Sequence, residues 1–207
     1  MKYKKLHIFT IYSLLIFYLC YLPACNTENG ESVETPKANI YQEASWEKSY
    51  RSINDLCYDN TIIIIAVGEI KKIVEVLEIN EITYYTRFAF KIRESFKGQE
   101  SGEIIINQMG TPNKAGYEFR DDPLFKVGEE YLLFLKTNNN EIYYTPGPWG
   151  RYQIKSGKVY SLDNTLTDEK IYQAPEALEF NGNSLSSITD EITSIISEIP
   201  LKRVSED

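Results

Sequence analysis

The sequence predicts a mainly β fold: a small antiparallel β-barrel with a short N-terminal helix and a C-terminal amphipathic helix. Three observations carry that expectation. Between residues 61 and 161, β-branched and aromatic stretches recur in short runs separated by turn-forming Gly, Pro and Asn. The strands come without the helical interludes of a parallel α/β sheet. One long run of helical period stands after them. A chain of 207 residues suits one such domain behind a leader.

Residues 1–24 read as a lipoprotein signal peptide. Lys2, Lys4 and Lys5 precede an uncharged apolar run from Leu6 to Tyr21, the basic-then-apolar order of a secretory signal. That run is shorter than the ~20 residues needed to cross a bilayer, so an uncleaved span is the second choice. It ends in Leu22-Pro23-Ala24-Cys25, which resembles the lipobox of bacterial lipoproteins. The resemblance implies that Cys25 takes a diacylglyceryl group and becomes the first residue of the mature chain. A plain secretory signal with an incidental cysteine is the alternative. Two acyl chains would hold the protein stably at a bilayer.

Residues 25–45 then form the lipidated N-terminus and a flexible tether, rich in Glu, Asn, Thr and Ser. About twenty such residues give a root-mean-square reach of about 25 Å. The β-barrel domain is expected over 46–182. It opens on a short helix from about 52 to 59, where Trp46, Tyr50, Ile53 and Cys57 keep helical spacing and Ser52 with Asp55 suggests a capping box.

The run from Thr61 to Ile79 starts as continuous apolar sequence and turns to alternation, with Gly68 expected at a bulge or bend. In the next strand Tyr84, Phe88, Phe90 and Ile92 share one face, with Tyr85, Arg87, Lys91 and Arg93 opposite. GEIIINQMG and EEYLLFLKTN give two more strands. Three short ones follow around turns at Asn138–Asn140, Pro146–Gly150 and Ser156-Gly157. In the last segment, 183–207, Leu185, Ile188, Ile192, Ile195, Ile196 and Ile199 line one helical face that Pro200 ends.

Charge and composition exclude several functions. Removing the three leader lysines from 22 basic residues leaves 19 against 30 acidic ones, a net of −11 for the mature chain. Such a surface repels nucleic-acid phosphates and anionic lipid headgroups. The single histidine, His7, leaves with the leader, which rules out Ser-His-acid and Cys-His catalysis and histidine-ligated zinc. Cys57 then has no histidine to activate it and is expected to be core.

The acidic pairs Asp121-Asp122 and Asp163 with Asp168-Glu169 lack the glycine-punctuated spacing of a calcium loop and are expected to be solvated. No metal and no cofactor are expected. Ser156 and Lys158 flank a turn glycine and do not suggest a dyad. The aromatic group Tyr143, Tyr144, Trp149, Tyr152 and Tyr160 surrounds Pro146-Gly147-Pro148. Within it Tyr144, Trp149, Arg151 and Tyr152 are the candidate ligand-binding residues, since turns sit at the surface and aromatic rings stack on sugars or grip peptides. Packing against the strands is the competing role for the same rings.

The stretches SINDLCYDNTIIIIAVGEI, FKIRESFKG, EIIINQMG, DDPLFKVGEEYLLFLK and YYTPGPWGRYQIKSGKVYSLD resemble uncharacterised lipoproteins of low-GC Gram-positive bacteria, over roughly residues 50 to 163. The resemblance implies no activity. Ser95 and Phe96 depart from it where a hydrophobic pair is usual. The strand order is also distantly similar to the netrin/TIMP-like variant of the OB barrel. Inhibitors of that class need a free N-terminal cysteine among paired disulfides, which this chain does not provide.

The expected protein is a non-enzymatic binding module of the extracytoplasmic cell surface, held to the bilayer through Cys25, with envelope protein or glycan as partner. A histidine-free, carboxylate-based envelope hydrolase and a purely structural envelope protein are the alternatives. A cleft with two perturbed carboxylates would favour the hydrolase. An exposed aromatic patch would favour binding.

Overall fold

Among the described residues of the computed structural model every strand lies in one sheet, and the sheet bends round until its first strand meets its fourth. The structure describes residues 48, 50–119, 121–138, 142–161 and 181–199. The leader, Cys25, the tether, Trp46 and the Asp163–Glu169 segment lie outside these residues. In chain order the elements are α1 (Ile53–Tyr58), β1 (Ile64–Asn80), β2 (Thr83–Lys97), β3 (Glu103–Met109), β4 (Glu130–Thr137) and β5 (Ile142–Tyr144). A 3-10 turn (Gly147–Gly150), β6 (Arg151–Lys155), β7 (Lys158–Ser161), β8 (Asn183–Ser184) and α2 (Leu185–Glu198) complete the elements of the described residues.

The sheet runs β1-β2-β3-β5-β4-β6-β7-β8, and an additional β1–β4 pairing makes the first five strands of that order a partly closed ring. β4 and the first part of β1, from Ile64 to Val67, are buried on both faces, which is why those stretches read as unbroken apolar runs. Ile65, Val67, Leu132 and Phe134 point to the helices and pack with Ile53, Leu56, Ile188 and Ile192. Ile64, Ala66, Leu133 and Leu135 point into the ring against Phe88, Phe90, Ile104 and Ile106. Two cores thus share the same two strands.

The strands fall where the alternation placed them, and Tyr84, Phe88 and Phe90 are buried together on one face of β2. One pairing differs from expectation. The sheet is not wholly antiparallel, because β3 and β5 run parallel, with Ile105 opposite Ile142 and Ile106 opposite Tyr143. β4 is drawn to β1 by their shared apolar faces. The short return into β5 therefore lands beside β3, running the same way. Local alternation carries no information about which neighbour a strand will find.

Gly68 marks a register shift between β1 and β2, as the sequence suggested. A Cβ there would stand 2.3 Å from the Lys91 carbonyl and 2.7 Å from the Phe90 ring. Only glycine lets the strands approach so closely. The β6–β7 connection is a two-residue turn in which Ser156 and Gly157 both take positive φ, 51° and 73°, the combination whose twist suits a tight hairpin.

α1 is capped as its sequence suggests. The Ser52 hydroxyl accepts from the Asp55 N–H at 3.1 Å, and the Asp55 carboxylate accepts from the Arg51 N–H at 3.0 Å. α2 turns Ile188, Ile192 and Ile195 into the helix-side core. Cys57 lies in that core with no exposed surface. Burial pushes its thiol up to about 12, with Lys97 pulling it back and Glu191 adding to the rise. The folded protein is therefore expected to react with a thiol reagent only on denaturation. Rapid labelling of the native protein at neutral pH would show that the thiol is open.

Candidate functional site

The four candidate binding residues occupy two different environments. Tyr144 and Trp149 keep solvent contact; Arg151 and Tyr152 do not. Tyr144 ends β5 on the exposed side, opposite Lys136 of β4. Trp149 sits in the 3-10 turn, half-buried, with its ring against the helix-side core. The turn is tight. A Cβ on Gly150 would lie 2.2 Å from Pro146 Cδ and 3.0 Å from the Phe134 carbonyl, so the peptide after the tryptophan presses directly on β4. Proline and glycine hold the indole at the domain edge while the core covers one side of it.

Arg151 and Tyr152 are 1% and 3% exposed, and the expectation of a surface role for them gives way to burial. The reason is the two-residue period of a strand. Adjacent residues of β6 face opposite ways, Arg151 opposite Leu133 toward the ring and Tyr152 opposite Leu132 toward the helices. Tyr152 packs edge-on against Phe134, with centroids 6.0 Å apart. Tyr143 is buried as well, its hydroxyl donating to Glu100 at 3.2 Å.

Arg151 is the centre of a polar knot inside the ring. Its guanidinium lies 3.4 Å from the Asp122 carboxylate, donates to the Pro123 carbonyl, and stacks 4.5 Å from the Phe125 ring centroid. Gln108 finishes the knot: its amide N–H donates to the Asp122 and Pro123 carbonyls at 3.2 and 3.0 Å, and its oxygen accepts from the Phe125 N–H at 2.9 Å. Asp122 is therefore no solvated loop acid, as its neighbours in sequence suggested, but is 4% exposed. Burial pushes its carboxyl above the usual range and the Arg151 charge pulls it back. The knot ties the 121–125 segment across one end of the ring, a positioning task.

A second carboxylate, Asp59, is tied where the described chain begins. It accepts from Lys48 Nζ at 2.8 Å, the Tyr50 hydroxyl at 2.5 Å, and the Thr61 N–H and hydroxyl at 2.8 and 2.7 Å. Burial works to raise its pKa, but these four donors together outweigh it and hold the carboxyl well below the usual range. Among the described residues no three His, Cys, Asp or Glu side chains gather closely enough to hold a metal ion.

One surface feature has no counterpart among the sequence-derived candidates. At the far end of the β1–β2 hairpin, Tyr84 and Tyr117 meet edge to face with centroids 4.9 Å apart, and the Lys114 ammonium lies over both rings. Lys-x-x-Tyr from Lys114 to Tyr117, with Gly116 inside it, is the local signal. The partner ring, Tyr84, comes from a strand 33 residues earlier in the chain, which no local pattern reveals. A comparison with protein-family models and with curated proteins gives no match.

Proposed function

We propose that this chain is a lipid-anchored protein of the extracytoplasmic cell surface whose β domain binds an envelope partner and performs no catalysis. The observation that carries the reading is Leu22-Pro23-Ala24-Cys25 closing an apolar run behind three lysines. The tether to residue 45 fits it, since such a segment holds a domain clear of the bilayer surface. The ring order, the parallel β3–β5 pair and the register shift of β1 at Gly68 support treating the domain as a small OB-type barrel, akin to the netrin/TIMP-like variant. Envelope protein or glycan remains the proposed partner, with Trp149 and Tyr144 as the contact residues on this face.

Two observations favour binding over a carboxylate hydrolase. The buried acid Asp59 accepts from four donors, and Asp122 is enclosed at 4% exposure with the Arg151 guanidinium 3.4 Å away. A general acid or nucleophile must instead face a substrate. Feeding cells a palmitate analogue tests the anchor. Wild-type protein should take up label and partition with membranes, and Cys25→Ala should do neither. Equal labelling of the two would sink the proposal.

A further inference from the structure

We propose that the Tyr84–Tyr117 corner is a recognition site for a lysine side chain of a partner protein, and that Lys114 fills it in the unbound chain. The corner has two aromatic walls at 76° to one another, 4.9 Å between centroids. The Lys114 ammonium sits 5.1 Å from the Tyr84 centroid and 4.5 Å from that of Tyr117, and donates to the Tyr84 hydroxyl oxygen at 3.0 Å. A cation over the faces of two rings is the geometry by which aromatic cages bind ammonium groups.

Each wall has holds other than the Lys114 ammonium. Glu78 lies across the hairpin from Tyr84, and its carboxylate accepts from the Tyr84 hydroxyl at 3.0 Å. The Tyr117 hydroxyl reaches the Glu81 carbonyl at 3.5 Å. The loop that carries Tyr117 is framed by the backbone: Gly110 N–H to the Tyr84 carbonyl at 2.8 Å, and Thr111 N–H to the Tyr117 carbonyl at 3.2 Å. The Thr86 hydroxyl also donates to the Gly110 carbonyl at 2.8 Å. The Lys114 side chain is exposed and meets the site through its ammonium, while its carbonyl accepts from the Tyr117 N–H at 3.3 Å and so keeps the loop in place whatever the side chain does. Its ammonium is held by one hydrogen bond and two ring contacts on an exposed side chain, so a competing ammonium that makes the same contacts can exchange with it.

The surroundings define the competitor. Ile79 and Ile82 flank the hairpin turn at 61% and 70% exposure, apolar surface that residues beside a partner's lysine would cover. Glu78 and Glu81 add negative charge at the same tip, and the whole chain is acidic, at −8. An anionic partner is disfavoured on both counts. The Tyr84 oxygen then chooses between kinds of cation. It accepts an N–H from the ammonium, and a quaternary ammonium has none to give. A primary amine on a flexible stem, flanked by apolar residues, satisfies every group present.

Isothermal titration of the purified full-length chain in detergent, with an end-blocked leucine–lysine–leucine tripeptide as probe, tests this. Wild type should bind the peptide, and Lys114→Ala should bind it about 2–5-fold tighter, because one exposed cation–π occupant has been removed. Tyr117→Phe keeps the ring and should stay within about twofold of wild type, whereas Tyr117→Leu should lose at least about fivefold. Should Tyr117→Leu fail to fold, the Lys114→Ala result decides alone. The proposal is overturned if Lys114→Ala binds no tighter than wild type, or if no variant binds the peptide. It is overturned equally if the norleucine analogue or tetramethylammonium binds as well as the lysine peptide.

Discussion

Arg151→Ala is expected to destabilise the domain by about 3–5 kcal/mol, because it strands the Asp122 carboxylate 4% exposed with its counter-charge gone. The loss extends beyond the ion pair. The Pro123 carbonyl loses a donor, the Phe125 ring loses the guanidinium stacked on it, and the 121–125 segment loosens from the ring. Urea unfolding of wild type, Arg151→Met, Asp122→Leu and the double variant separates these parts. The double variant should recover most of what either single change loses, since apolar side chains can replace a buried ion pair of similar volume. A single-variant loss below about 1 kcal/mol would mean that water reaches the pair and that the knot does not hold the segment.

Gly68→Val should be nearly as damaging, at roughly 3 kcal/mol or more, from the opposite cause. Here the fault is excess volume. A Cβ at this position would meet the Lys91 carbonyl at 2.3 Å and the Phe90 ring at 2.7 Å. Neither can retreat easily, as one is strand backbone and the other is fully buried in the ring core. β1 must shift instead, and it pairs with β2 on one side and β4 on the other. Gly68→Ala should show most of the effect, because the first carbon makes the collision. The measurement is the thermal midpoint of each variant. An unchanged midpoint would show that the two strands separate there without penalty.

Much of this fold was legible because each element carries its own signature. The cap at Ser52, the isoleucines of α2 and the alternation of β2 are local, and the structure repeats them. The double burial of β4 and of the start of β1 was visible as continuous apolar runs. Their pairing with each other was not, because Ile64 meets Leu135 and Gly68 meets Tyr131 across most of the domain. The candidate site was less legible for the same reason. Arg151 and Tyr152 looked like one surface because they are adjacent, whereas a strand sends neighbours to opposite sides. An acid pair in a loop gave no hint that a buried arginine would claim Asp122. The Tyr84–Tyr117 corner needs two segments to meet, so its chemistry exists only after folding.

The same long-range seam governs how the chain can reach this state. The β1–β2 ladder needs only a two-residue connection, so it can assemble as soon as residue 97 is available. The β1–β4 seam must wait for residues 130–135 and for the entropy of closing the intervening loop. Until then Ile64, Ile65, Ala66 and Val67 present an apolar edge with one side unpaired, the kind of edge that joins other chains. Ring closure is thus the slow and vulnerable step. In a chain that emerges from its N-terminus, that edge is out some thirty residues or more before the strand that covers it, from about residue 97 to residue 130.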